Sequence, residues 1–267
     1  VGNGNRVVIT GGTRGLGKAM AEAFIGAGAR VFITGRNGAS VSSALAEIGR
    51  ATGAAGDAIG GGAGDMGHPR DVERLAAEAK AFLGGVDHWI NNAGVNQAPG
   101  RILDLAPEEM ERVVRTDLLG PMYGARAASR IVAESGGFIW FMEGHGSNGK
   151  IIDGLSLYGA SKRGVNYLWQ ALAAECGGGG IRIGALSPGI MVTDFILEGR
   201  EGEDRAKREK NEKVYNILGD RPETVAAFFV PRILAATRNG EKITWLTPRK
   251  AAWRFMTAGI ARRKIIG

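Results

Sequence analysis

Tyr158 and Lys162, four residues apart in the run Tyr158-Gly159-Ala160-Ser161-Lys162, could move a proton together. On a helix, that spacing sets both side chains on one face. A phenol with an ordinary pKa of about 10 is a poor acid–base group at neutral pH, unless a nearby ammonium favours its phenolate. Lys162 can supply that charge. The pair suits chemistry in which an oxygen gains or loses a proton as bonding changes at the carbon bearing it. Such a pair also arises often by chance, so its meaning depends on what precedes it.

What precedes it is Thr10-Gly11-Gly12-Thr13-Arg14-Gly15-Leu16-Gly17, which follows the apolar run Arg6–Thr10. Read as a strand turning into a helix, Gly11 permits the sharp turn and Gly15 lets the backbone approach a pyrophosphate. Gly17 lets helix and strand pack closely. The helix N-terminus then offers unpaired N–H groups and a positive dipole end to phosphates.

This Thr-Gly-x-x-x-Gly-x-Gly pattern, with Asn91-Asn92-Ala93-Gly94 and the Tyr158/Lys162 pair following in order, resembles the short-chain dehydrogenase/reductase family. The resemblance implies a Rossmann-type fold and an enzyme that transfers a hydride between a nicotinamide dinucleotide and a carbonyl or alcohol. It implies a cofactor site built from Gly11, Thr13, Arg14, Gly15, Leu16 and Gly17, with Asp65 and Met66 near the adenine. Asn92, Ala93 and Gly94 would line the cofactor. Pro188, Gly189 and Thr193 would hold the nicotinamide end, and Lys162 would hydrogen-bond the ribose beside Tyr158. An acid ending the second strand would select NAD through the ribose 2′-hydroxyl. Here the stretch reads Thr34-Gly35-Arg36-Asn37. Arg36 and Arg14 are suited to a 2′-phosphate, so NADPH/NADP+ is the expected cofactor.

Two departures from the family pattern concern the catalytic group. The Ser expected after the fifth strand, to bond the substrate carbonyl, is replaced by His145 within Met142-Glu143-Gly144-His145-Gly146-Ser147. Ser147 is the preferred candidate for that role and His145 its competitor; Glu143 reads either as an N-cap or surface acid or as a group close enough to tune the histidine. Asp117, in Thr116-Asp117-Leu118, stands where the family usually has an Asn that helps hold a relay water. An ionised carboxylate only accepts hydrogen bonds, and its charge could blunt the effect of Lys162 on Tyr158. These departures keep a second reading open: an NADP(H)-binding sensor or scaffold without turnover.

The elements that must position these groups alternate. Strand-like runs at Arg6–Thr10, Arg30–Thr34, Ala58–Gly62 (weak and diluted by glycine), Val86–Asn91, Gly137–Met142 and Ile181–Leu186 are separated by helical patterns. Those patterns cover Gly17–Gly28, Ser40–Ala51, Pro69–Leu83, Pro107–Glu134 and Leu157–Cys176. The alternation predicts an α/β, doubly wound parallel sheet with helices on both faces, in one domain over 1–267. A variable substrate loop is expected at about 195–222, where Gly199–Lys213 is densely charged and reads as a solvated helix or mobile loop. A helix at Glu223–Thr237, kinked at Pro231, and a last strand at Lys242–Leu246 complete the pattern.

Composition narrows the partners. Net charge is +7, but Lys and Arg are spread apart from 200–213 and 249–264, which argues against a nucleic-acid binder. Arg249–Lys264 mixes Trp253, Phe255 and Met256 with basic residues. It reads as an edge helix or subunit contact before a membrane-surface helix. Cys176 is the one cysteine, so no internal disulfide can form and no metal site is expected. No apolar run reaches bilayer length and no secretory pattern is present, which fits a cytoplasmic protein. The chain begins at Val1, which leaves a removed targeting segment open.

Thr13–Phe24, the Met-Glu-Gly-His-Gly-Ser turn, Leu157–Val165, Leu186–Phe195 and Ile243–Phe255 are similar to the chlorophyll b reductases and their bacterial relatives. That branch implies reduction of a formyl group on a large macrocycle. The expected partners are a small-molecule carbonyl substrate and further copies of the chain, as a homodimer or homotetramer.

Overall fold

Apolar residues fill every position of the first strand after Arg6, so its two faces must both be covered. The computed structural model describes residues 5–98, 100–151, 153–177, 179–191, 205–259 and 263–266. In it, β1 (Arg6–Ile9), β2 (Arg30–Gly35), β3 (Ile59–Ala63), β4 (His88–Asn91), β5 (Phe138–Met142), β6 (Arg182–Ser187) and β7 (Glu241–Thr244) pair in parallel. They form one seven-stranded sheet in the order β3-β2-β1-β4-β5-β6-β7. Successive side chains point to opposite faces. Val7 and Ile9 join one buried cluster, with α1 (Gly15–Gly26), α2 (Gly38–Thr52) and α8 (Pro222–Leu234). Val8 joins the other, with α3 (Pro69–Leu83), α5 (Gly120–Ala133) and α6 (Ser156–Glu175). The expected doubly wound architecture is therefore what the chain adopts. Among the described residues no helix is long and apolar enough to cross a membrane.

The glycine-diluted third strand forms because its neighbours occupy the missing side-chain volume. A Cβ on Gly60 would lie 2.9 Å from the Phe82 ring, and one on Gly62 would lie 2.6 Å from Leu75.

Three elements differ from the expected boundaries. The stretch Pro107–Glu134 is not one helix: α4 (Pro107–Val114) passes into a π-helical turn at Arg115–Leu119 before α5 begins. Pro121 supplies the cause. It has no N–H for the carbonyl of Asp117, and its ring crowds that carbonyl, so the turn there widens. The charged segment is helical from its second half onward, as α7 (Arg205–Leu218), while 195–204 lies outside the described residues. Pro231 is carried inside α8. The C-terminal basic stretch is helical as α9 (Pro248–Thr257). Arg254 turns inward to Asp220, whereas Trp253, Phe255 and Met256 face solvent.

Because all seven strands run the same way, the turns after β1, β2, β4, β5 and β6 gather on one edge of the sheet. The chain winds outward from β1 to β3 and returns to start again at β4. The crevice between the ends of β1 and β4 is where such a sheet accepts a ligand.

Candidate active site

The β1 and β4 ends are tied by Thr10, whose Oγ1 accepts the N–H groups of Asn92 and Ala93, each at 3.0 Å. Asn92 returns the tie, its Nδ2 donating to the carbonyls of Thr10 (2.9 Å) and Gly11 (3.0 Å). Between them runs the glycine loop. Gly11 has φ +65°, and a Cβ there would lie 2.8 Å from Ala93 Cα. A Cβ on Gly17 would lie 2.2 Å from the Gly11 carbonyl oxygen, so only glycine lets α1 start this close to the sheet. The helix enters from Arg14 in extended conformation, with no acid in its first turn to compete for an anion.

Above this loop opens a cavity of about 1160 Å³. Gly11, Thr13, Arg14, Gly15, Leu16 and Gly17 line one part of it. Arg36, exposed at the end of β2, lines it together with Asn37 and Ser40, and no carboxylate follows that strand before α2. Asp65 and Met66 come in from the β3 end, Asn92, Ala93 and Gly94 from β4, and Pro188 and Gly189 from β6. Tyr158 and Lys162 complete this wall. The structure thus brings together every expected cofactor-site residue that it describes; Thr193 lies outside the described residues. A glycine cradle and a helix N-terminus fit the pyrophosphate of a dinucleotide. Among the described residues no group of three His, Cys, Asp or Glu side chains is placed to hold a metal.

Tyr158 and Lys162 occupy the first two turns of α6 and are 8% and 4% exposed. Lys162 Nζ stands 5.7 Å from the centre of the Tyr158 ring. Sequence reasoning missed three groups that hold Tyr158 in place. Gln97 Oε1 accepts the Tyr158 N–H at 2.9 Å, satisfying a first-turn donor that α6 itself leaves open. Gly144 makes room for the phenol, since a Cβ there would lie 2.5 Å from Tyr158 Oη. Gly146, at φ +90°, lets the β5 turn touch the α6 backbone: a Cβ there would be 2.6 Å from Gly159 Cα. Glycines inside a turn after a strand were the available signal; nothing local marked Gln97.

The two departures take unexpected positions. Ser147 is 3% exposed and its hydroxyl is engaged away from the cavity: Oγ accepts the Gly144 N–H at 3.0 Å and donates to the Lys162 carbonyl at 3.2 Å. From this turn Met142, Glu143, Gly144 and His145 line the cavity, and Ser147 does not. His145 is exposed to solvent at the cavity wall, yet desolvation by its surroundings, and then the charge of Lys150, lower its pKa and favour the neutral imidazole. Glu143 does not reach His145 as expected. Its buried carboxylate accepts from Asn166 Nδ2 (2.7 Å) and Trp169 Nε1 (3.1 Å) and pairs with Lys242 (2.6 Å).

Asp117, carried by the π turn, is fully buried behind the Asn-Asn-Ala-Gly turn. Its Oδ1 accepts the Val95 N–H at 2.7 Å, while Oδ2 has no hydrogen-bond partner. A side chain on Gly94 would begin 3.4 Å from Asp117 Oδ1 and 3.6 Å from Lys162 Nζ, which sets acid and ammonium around one point. Desolvation pushes the Asp117 carboxyl up to about 6, against the opposing pull of Lys162, the Val95 N–H and Arg112. Burial, and then the Asp117 charge, push the Tyr158 phenol above its ordinary value.

A stability prediction follows from Asp117. Its folded pKa, about 6, exceeds its ordinary 3.8, so between those values the folded chain holds a proton that the unfolded chain has lost. Stability must therefore fall as pH rises through this window, by on the order of 2–3 kcal/mol. Asp117→Asn is expected to flatten that slope and to melt higher than the wild type at neutral pH. Thermal melts of both proteins across the window check it. Parallel curves would refute the buried charge.

The profile described as short chain dehydrogenase matches residues 5–204. The chain belongs to the short-chain dehydrogenase/reductase family. That family comprises oxidoreductases that use NAD(H) or NADP(H) and whose members commonly oligomerise. The chain is 33% identical over 271 residues to the probable chlorophyll(ide) b reductase NYC1, chloroplastic, of Arabidopsis thaliana. The match covers 96% of this chain and 53% of that protein. It is also 32% identical to the chlorophyll(ide) b reductase NOL, chloroplastic, of the same plant, covering 97% of this chain and 72% of that protein. The chain thus spans about half the length of the first of these relatives. Among solved structures, levodione reductase superposes with a TM-score of 0.82 at 25% identity, covering 93% of this chain and 98% of that one.

Proposed function

We propose that this chain is an NADPH-dependent reductase of aldehydes or ketones, with Tyr158 as proton donor and Lys162 as its electrostatic partner. The observation that carries the reading is the pair itself, buried on one face of α6 and lining the same cavity as the glycine loop. NADPH supplies a hydride when bound. Every other part of the reaction falls to the chain. A phenol held protonated by its surroundings is a general acid ready to donate from Oη to an oxygen that becomes an alkoxide. The Lys162 ammonium then favours the phenolate left behind. Arg14 and Arg36 would bind the 2′-phosphate, and Asn92, Gly94, Pro188 and Gly189 would position the nicotinamide end; Thr193 keeps its expected role there.

His145, rather than Ser147, is the better placed partner for the substrate carbonyl, because a neutral imidazole lining the cavity can donate one hydrogen bond. His145→Ala should lower kcat/KM by about tenfold to a hundredfold, the usual cost of one donor to developing charge. Ser147→Ala should instead lower the melting temperature, by stranding the Gly144 N–H. Steady-state kinetics beside thermal melts separates the two; the reverse pattern returns the role to Ser147.

The similarity to the chlorophyll(ide) b reductases supports a formyl group on a chlorophyll-like macrocycle as the substrate. The test is consumption of NADPH by the purified chain with formyl-bearing macrocycles and with simple aldehydes and ketones. A second reading, an NADP(H)-binding sensor or scaffold, draws on one observation: neither Asp117 nor Ser147 lines the cavity. Tight NADPH binding without turnover of any carbonyl would select it. Assembly as a homodimer or homotetramer is proposed from the family's habit.

A further inference from the structure

One wall of the cavity is α7, through Asn211, Val214 and Tyr215. These positions share a face by helical spacing. The sequence of α7 is dominated by charge (RAKREKNEKVYNIL) and carries few apolar anchors. Something other than a hydrophobic stripe must hold it in place.

Its C-terminal end is held by polar contacts. Asp220, two residues past α7, is 3% exposed. Its backbone pairs with the β6 turn, the N–H donating to the Ile190 carbonyl at 3.0 Å beside a bridge to Met191. Four donor contacts reach its carboxylate. Trp245 Nε1 donates at 2.7 Å, Arg254 donates twice at 2.6 and 3.0 Å, and Arg263 donates at 2.7 Å. That fills the lone-pair sites of an ionised carboxylate. Burial opposes this charge, but hydrogen bonds from Arg254 and Trp245 and the charges of both arginines keep Asp220 below the ordinary carboxylate range.

The same guanidiniums continue to the last carbonyls around the end of α7. Arg254 donates to Leu218 at 3.0 Å, and Arg263 donates to Ile217 at 2.7 Å and Gly219 at 2.9 Å. Cations are favoured at a helix C-terminus for this reason. Asn216 Oδ1 adds acceptance of the Ile265 and Ile266 N–H groups at 2.7 and 2.9 Å. The residues that complete the end of α7 therefore come from α9 and from 263–266, not from the neighbouring sheet.

We infer that Arg254 and Arg263 are positioning residues that seat α7 against the cavity through Asp220, so that the C-terminal segment governs how tightly carbonyl substrate is held. This rests on the reductase reading above. The residues proposed for the dinucleotide line the other walls, so its affinity is expected to depend on the clamp less than that of the carbonyl substrate.

Arg263 is the partly exposed member of the clamp, with 28% of its side chain open against 13% for Arg254, and is the safer site for a fold-preserving change. In the full chain, Arg263→Ala should raise KM for the best carbonyl substrate about tenfold, with kcat and NADPH Kd within about twofold. Hydrogen exchange over 211–218 should quicken, and Arg263→Lys should recover part of the KM. Unchanged KM and unchanged exchange, whatever the melting temperature does, would overturn the proposal. So would an NADPH Kd that rises as much as KM. If the wild type turns over no carbonyl, the reductase reading falls. The clamp is then judged by exchange over 211–218 alone, with faster exchange supporting it and equal exchange overturning it.

Discussion

Replacing Tyr158 by Phe is expected to lower kcat for carbonyl reduction by roughly a thousandfold, within the range that one general acid contributes. NADPH binding should hold. The substitution removes only Oη; the ring keeps its buried place on α6 and its stacking under Lys162. Single-turnover reduction measures the chemical step, and NADPH fluorescence measures binding. Loss of both would show that the variant had damaged the site as a whole. Full activity would remove Tyr158 from the mechanism and leave His145 as the proton source.

Arg36→Asp should shift the ratio of kcat/KM for NADPH over NADH by about a hundredfold, which corresponds to ~2.7 kcal/mol. A charge-assisted hydrogen bond contributes about 1.5–3 kcal/mol, and the new carboxylate adds repulsion of a 2′-phosphate while accepting from a 2′-hydroxyl. Arg36 is exposed, so the effect should shrink as salt is added. Arg14→Ala should move the ratio in the same direction by less, since no opposing charge is introduced. The measurement is initial rates with both dinucleotides at two ionic strengths. An unchanged ratio would sink the argument for NADP(H).

The parts of this site that were legible in the sequence are those set by local chemistry. Only glycine permits the Gly11 turn and the Gly17 approach, so the loop announced itself, and the four-residue step from Tyr158 to Lys162 is a property of any helix. Other parts were harder to read from the local pattern. The third strand looked weak because its glycines supply no side chains; Phe82 and Leu75 fill the space from α3. The long helix at Pro107–Glu134 was interrupted by a residue that could have been read: Pro121 denies its N–H to Asp117, the residue whose position mattered most.

The outward appearance of Ser147 was a matter of spacing, and spacing along a turn does not say which way a hydroxyl points. The carbonyl of Lys162 and the N–H of Gly144 took it, leaving His145 to line the cavity. Electrostatics were still less accessible, because desolvation is a sum over atoms from many segments. Asp117 is held near pKa 6 by burial that outweighs the opposing pull of Lys162 and the Val95 N–H, and Asp220 stays charged because two arginines from the C-terminus reach it.

Sequence by itself determined the parallel sheet, the glycine cradle, the four-residue spacing of Tyr158 and Lys162 and the family, since each depends on backbone freedom and on periodicities that neighbours in the chain enforce. Tertiary structure alone decided that His145 rather than Ser147 lines the cavity, how far the buried acids depart from their ordinary pKa values, and what holds the end of α7. Those outcomes depend on which remote groups share a volume from which water is excluded.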